Sequence, residues 1–139
     1  MKYDIVALLS SILNDIGMSD SMDAELSNHS TLSLHMKDDI PAIHIGNEDE
    51  DGEETLWVWS IIMENSPPSL TYCSANLIPM MMTHNEDFFY AGQPCLYSID
   101  GNIELRAQVK EKYLQSPDAF LSLLDNYLVV LQDYRSVVI

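Results

Sequence analysis

Positive charge is what this sequence has least of: six Lys and Arg stand against 22 Asp and Glu, a formal net charge of −16. A surface of that sign repels nucleic-acid phosphates and anionic headgroups, which excludes nucleic acid and membrane as partners. Glycine is scarce, at five, and none lies in a G-x-G or G-K-[ST] pattern. Phosphate-cradling loops and a nucleophile elbow are therefore missing. Cys73 and Cys95 are too far apart in sequence for a zinc or redox motif, and Cys73 reads as a reduced, buried thiol. No apolar run is long enough to cross a bilayer. The mostly apolar Ile5–Leu13 lacks the flanks and cleavage site of a secretory signal, since Asp4 cancels Lys2 and Asn14-Asp15 follows at once. These absences favour a cytoplasmic protein without a cofactor. The carboxylates cluster in loops, and nothing speaks for an enzyme.

What is present argues for a folded chain. Apolar residues make up 47% of 139 positions, enough for one domain with one core. The organising stretch is Thr55–Met63, uncharged and rich in β-branched and aromatic residues, which predicts a strand. Its two faces, Leu56/Val58/Ile62 and Trp57/Trp59/Ile61/Met63, are both apolar, so both are expected to be covered. After Asn65-Ser66-Pro67-Pro68, residues Ser69–Met82 predict a helix with Leu70, Cys73, Leu77, Met80 and Met81 in one line. A second line runs through Tyr72, Ala75, Ile78 and Met82. One small core cannot bury two helix faces, so the expectation is a homodimer whose interface draws on Cys73, Leu77, Ile78, Met80, Met81 and Met82. Pro79 interrupts this helix and is expected to kink it, at roughly 3 kcal/mol for an interior position.

Around that centre, Asp4–Ile16 predicts a first helix, with apolar residues at Ile5, Leu8, Leu9, Ile12, Leu13 and Ile16 and a stop at Gly17. Thr31–Met36 and Ile40–Ile45 predict strands joined at Lys37-Asp38-Asp39. A tight hairpin there pairs Leu34 with Ile45 and Met36 with Ile43, and sets His35 opposite His44. Asn47–Glu54, with six acids, reads as a solvated hairpin loop. His84–Gln93 reads as a loop with an aromatic cluster. Pro94–Asp100 and Ile103–Val109 predict strands joined through Asp100-Gly101-Asn102. Ser116-Pro117-Asp118 opens a last helix with Phe120, Leu123, Leu124, Tyr127, Leu128, Leu131 and Tyr134 in period. The fold class is α+β: an antiparallel sheet with three helices in the order α-β-β-β-α-β-β-α.

Two constellations test for metal. Asn47-x-Asp49-x-Asp51-Gly52 matches the first half of an EF-hand loop, but Val58 stands where the bidentate Glu belongs and the flanks read as strands. A cross-strand pair of His35 and His44 could give two ligands, with no third in view. No metal site is expected.

Three segments together resemble the class I chaperones of bacterial type III secretion, most closely the multi-effector branch that includes InvB and SpaK. They are Asn28-His29-Ser30-Thr31, Ile40-Pro41-Ala42-Ile43-His44-Ile45 and Leu56-Trp57-Val58-Trp59. Their spacing, Gly17, the element order, the size, the low pI and the Met-rich middle helix agree with that family. Pro79 and the long acidic stretch depart from it. The resemblance implies a homodimeric, non-enzymatic cytoplasmic protein that uses no nucleotide. It would hold the N-terminal segment of a secreted effector in extended form and keep it export-competent, with the export apparatus as a further candidate partner. It implies that the middle helix is central to the dimer and that effector segments lie over the sheet and first helix. Leu9, Ile12, Ile16, Leu32, Leu34, Ile43 and Ile45 are the expected effector-binding residues; the alternative is that they are core. An acidic inhibitor or nucleic-acid mimic with a basic partner is the second reading, and a small enzyme or metal sensor the third.

Overall fold

A computed structural model of the chain describes Ala7 and residues 31–36, 40–50 and 53–138. Five antiparallel strands form one sheet in the order β1-β2-β3-β5-β4, so β1 and β4 are its edges. The strands are β1 (Thr31–Leu34), β2 (Ile43–Glu50), β3 (Glu53–Glu64), β4 (Cys95–Ile99) and β5 (Asn102–Gln108). Two described helices accompany them, α1 (Pro67–Met81) and α2 (Pro117–Val138). The class is α+β, as the alternation of periods predicts. The expected helix Asp4–Ile16 lies outside the described residues apart from Ala7, which is helical.

The sheet buries one face against α2. Leu56, Val58 and Ile62 of β3 and Leu105 and Ala107 of β5 meet Phe120, Leu123, Tyr127, Val130 and Leu131 of α2 in a single core cluster. Ser60 is fully buried among them and shares hydrogen bonding with the Tyr127 hydroxyl, which also reaches the Leu105 carbonyl. At the far end β3 carries a bulge: Ile61 pairs with Glu104 and Met63 with Ile103, leaving Ile62 without a cross-strand partner. A bulged residue loses its ladder bonds, and here Arg135 of α2 donates to the freed Ile62 carbonyl at 2.7 Å.

Both helix starts follow local chemistry. Ser66 Oγ accepts from the Ser69 N–H at 3.3 Å with Pro67 at the first helical position, and Ser116 Oγ accepts from the Ala119 N–H at 3.2 Å. Proline there gives up an N–H that no helix would use. Pro79 neither ends α1 nor stands mid-helix; it falls in the last turn, two residues before Met81. The one ladder bond it deletes would have gone to Ala75, and its side chain is exposed. That position is why the helix tolerates it.

Two expectations are corrected. Leu34 pairs with Ile43 and Leu32 with Ile45, in place of Leu34 with Ile45 and Met36 with Ile43. Pro41 cannot donate to a ladder, so β2 begins at Ile43 and not at Ile40. A shift of two keeps the apolar faces matched, but it sets His44 opposite Ser33 and leaves His35 exposed past the strand end. The second correction concerns Asn47–Glu54, which is mostly ladder and not loop. Glu48 pairs with Thr55, Asp49 with Glu54 and Glu50 with Glu53, so only residues 51–52 join the strands. Asp51-Gly52 is the residue pair that favours a two-residue hairpin. Because β1 pairs no further than Gly46 and β5 ends opposite Trp57, this acidic stretch is a two-stranded ribbon beyond the sheet body.

The turn at Asp100-Gly101 is as expected: Ile99 pairs with Asn102, and both turn residues take positive φ, 52° and 80°. Between α1 and β4, the loop places Phe89 in the core, where it bridges to Val109. Ala91 and Gly92 are left-handed there, with φ of 64° and 75°. A Cβ on Gly92 would come within 3.2 Å of Asn85 Oδ1.

Candidate functional site

The outer sheet face, opposite α2, carries the only two tryptophans of the chain. Alternation along β3 puts Trp57, Trp59 and Ile61 there, while β5 adds Glu104, Arg106 and Gln108. Arg106 is the centre. Its guanidinium lies 4.8 Å from the Trp59 ring centroid and 5.6 Å from that of Trp57. It donates to Glu104 Oε1 at 3.0 Å and to Glu48 Oε1 at 2.8 Å. Glu104 is buried, a costly state for a carboxylate unless it is paired, and Arg106 is the pairing group. Cation–π contact adds on the order of 1 kcal/mol at a part-buried site.

His44 extends this face towards β1. Its ring sits tilted against Trp59 at 5.7 Å and its Nδ1 lies 2.7 Å from Ser33 Oγ. Burial lowers the His44 pKa below the ordinary histidine value; Glu104 opposes the shift and His35 adds to it. Towards β4, Tyr97 meets Trp57 edge-on at 6.3 Å. Trp57, Tyr90, Tyr97 and Arg106, with Gln93 and Gln108, line an open pocket of about 150 Å³. Both faces of β3 were expected to be covered. Among the described residues the helices lie on the core side, and Ile61 on the outer face is 43% exposed.

The second exposed apolar surface is on α1. The structure sorts its two lines. Cys73 and Leu77 are buried in the protomer's own core, and Met80 and Met81 pack half-buried against it. The other line faces out, with Tyr72 76%, Ile78 55% and Met82 80% exposed. Of the expected interface residues, Ile78 and Met82 are thus the ones open to a neighbour. Among the expected effector contacts, Leu9, Ile12 and Ile16 lie outside the described residues. Leu32 is in β1 opposite Ile45, Leu34 is half-buried, and Ile43 and Ile45 are fully buried in the core.

Among the described residues no group of three metal-ligating side chains occurs. His35 and His44 do not face each other as the sequence suggested. His84 stacks on Tyr134 at 5.9 Å and lies 3.4 Å from Glu86, which accepts from Asn126 at 3.0 Å; this cluster fastens the loop after α1 to α2. Burial pushes the Tyr134 hydroxyl up to about 12. The described bases are all engaged: Arg106 as above, Arg135 on Ile62, and Lys110 and Lys112 on Asp87 at 3.4 and 2.8 Å.

A family model described as the Invasion protein B family matches residues 17–100, more than half of the chain. The chain belongs to the Invasion protein B family. That is the family of InvB/SpaK type III secretion chaperones, in accord with the resemblance read from its segments. The matched residues take in β1 to β4 and α1, so both exposed apolar surfaces fall largely within them. No curated relative matches the chain. Membership implies effector proteins as partners and a role other than catalysis. No described helix is long and apolar enough to cross a membrane.

Arg106, Tyr90 and Tyr97 were not foreseen as site residues. One signal was available: from residue 38 to residue 105 the sequence holds no Lys or Arg, so Arg106 is the first base to follow the uncharged strand.

Proposed function

We propose that this Invasion protein B family member acts as a homodimeric cytoplasmic chaperone. It binds the N-terminal segment of secreted effectors in extended form and keeps them stable and export-competent. Family membership supports the chaperone role, and the observation that carries the dimer is the exposed line Tyr72, Ile78 and Met82 on α1. Three large apolar side chains in one helical row favour burial against a like surface, and a stable interface buries on the order of 1,600 Å² in total.

The effector segment lies over the expected first helix and the adjoining sheet, with Leu9, Ile12, Ile16, Leu32 and Leu34 as its contacts. Ile43 and Ile45 support that surface from beneath. The acidic exterior keeps a dimer with open apolar patches soluble. A second reading, an acidic inhibitor binding a basic partner, is favoured by the net charge of −16 and the internal use of the described bases.

Expression in the native host, followed by mass spectrometry of co-purifying proteins and light scattering of the pure chain, tests these readings. A chaperone brings down a larger secreted protein and is a dimer at micromolar concentration. A monomer ends the dimer proposal. A basic partner released by modest salt, with no secreted protein retained, favours the inhibitor.

A further inference from the structure

The outer sheet face has the makings of a binding surface for something that is neither α1 nor α2. It presents Trp57, Trp59, Ile61 and Tyr97, and the pocket of about 150 Å³ opens between aromatic walls. Arg106 is not a free cation there, because Glu48 and Glu104 already neutralise it. The pocket therefore offers ring faces and the amides of Gln93 and Gln108, suited to one apolar or aromatic side chain. Glu48 marks the border with the ribbon, whose sequence from Glu48 to Glu54 adds five more acids and no base.

Charge selects the occupant. A second copy laid on this face would bring Glu48 and the ribbon against a chain of the same net sign, −16 on each. Like charges brought together with partial desolvation disfavour that contact. A basic segment meets the opposite case. Position supports an extended one: the pocket is lined by Cys95 and Tyr97 of β4, whereas Glu48 belongs to β2, with β5 and β3 between them. A segment that runs from the pocket to Glu48 must cross β5 and β3, about 14 Å at the usual strand spacing, a span only an extended segment covers in a few residues.

We propose that the outer face binds an extended basic segment of a partner protein, with one apolar or aromatic side chain in the Trp57–Tyr90–Tyr97 pocket and Lys or Arg over Glu48 and the ribbon. The inference rests on the chaperone reading for the unfolded state of the partner. It adds a second contact surface and a charge preference.

The two tryptophans make the face its own reporter. The probe is a synthetic eight-residue peptide alternating Thr with two Lys and then two Phe, titrated into the full chain while tryptophan emission is followed. A matched peptide with Glu in place of Lys is the control. The expected result is a saturable emission change with the Lys peptide, weakened as salt rises, and none with the Glu peptide. Tyr97→Ala should weaken the response at least tenfold with an unchanged thermal melt. If that variant loses its cooperative melt, Tyr90→Ala takes its place.

Equal response to both peptides, or an undiminished response in a folded Tyr97→Ala or Tyr90→Ala variant, overturns the proposal. So does a wild-type dimer that becomes monomeric in either variant, since the face would then meet a second copy. The two readings fail separately. A silent peptide titration with a secreted protein still co-purifying sinks this inference alone. Peptide binding without any secreted protein retained in the native host sinks the chaperone reading and leaves this face a basic-segment site.

Discussion

The Tyr127 hydroxyl lies 3.0 Å from Ser60 Oγ and 2.9 Å from the Leu105 carbonyl, in the middle of the core between α2 and the sheet. A serine on the buried face of the central strand is tolerable only with such a partner, because an unpaired buried hydroxyl costs about 1–3 kcal/mol. Burial also drives the Tyr127 hydroxyl well above the ordinary tyrosine range, so it stays protonated.

Tyr127→Phe should therefore lower unfolding free energy by about 1–3 kcal/mol, read from urea melts. Adding Ser60→Ala removes the orphaned group, so the double variant should be more stable than the sum of the two single losses. Simple additivity would show that Ser60 finds another partner.

Much of the core was legible in the sequence, and the reason is local. The buried positions Leu56, Val58 and Ile62 follow from alternation, the α2 stripe from its period, and the helix starts from Ser66-Pro67 and Ser116-Pro117. What was not legible depends on residues far apart. Arg106 reaches Glu48 across 58 positions, and no period announces that pairing. The β1–β2 register turned on where Pro41 lets the ladder begin. The acidic ribbon was hidden by composition: a run of like charges suggests a solvated loop, whereas backbone pairing and a short link carried two strands through it. On α1, spacing identified both apolar lines, but only tertiary packing decides which the protomer keeps for itself.

That division gives a paired test. Leu77→Asp puts a charge into the core and should abolish the cooperative melt. Ile78→Asp, one residue on but exposed, should keep the fold and halve the mass seen by light scattering. A folded Ile78→Asp dimer would move the interface off α1.

His44 predicts an acid dependence with a definite sign. Its folded pKa is depressed, so the unfolded chain takes up the proton first as pH falls. The His44 contribution is complete above the unfolded value of about 6.5 and is lost as pH drops from there through the lower folded value. His44→Gln should remove that share of the decline in melting temperature between pH 7 and 5, leaving the variant flatter than the wild type. A parallel decline in both would place the titration elsewhere.

Calcium should not bind tightly at the ribbon. A hexacoordinate site needs a loop that wraps oxygens around one point, whereas paired strands send successive side chains to opposite faces. Calorimetry in physiological salt should show no stoichiometric binding in the low micromolar range.

The ribbon also makes the molecule respond to ionic strength in two directions at once. The backbone register pairs Asp49 with Glu54 and Glu50 with Glu53, positions where like charge disfavours pairing, while Lys112 and Asp87 attract on the exposed surface. Mobile ions screen both over a length of about 8 Å at 0.15 M. Added salt should slow amide exchange along residues 47–50 and 53–56 and leave the Lys112–Asp87 contact looser, so that one paired segment firms while another contact relaxes.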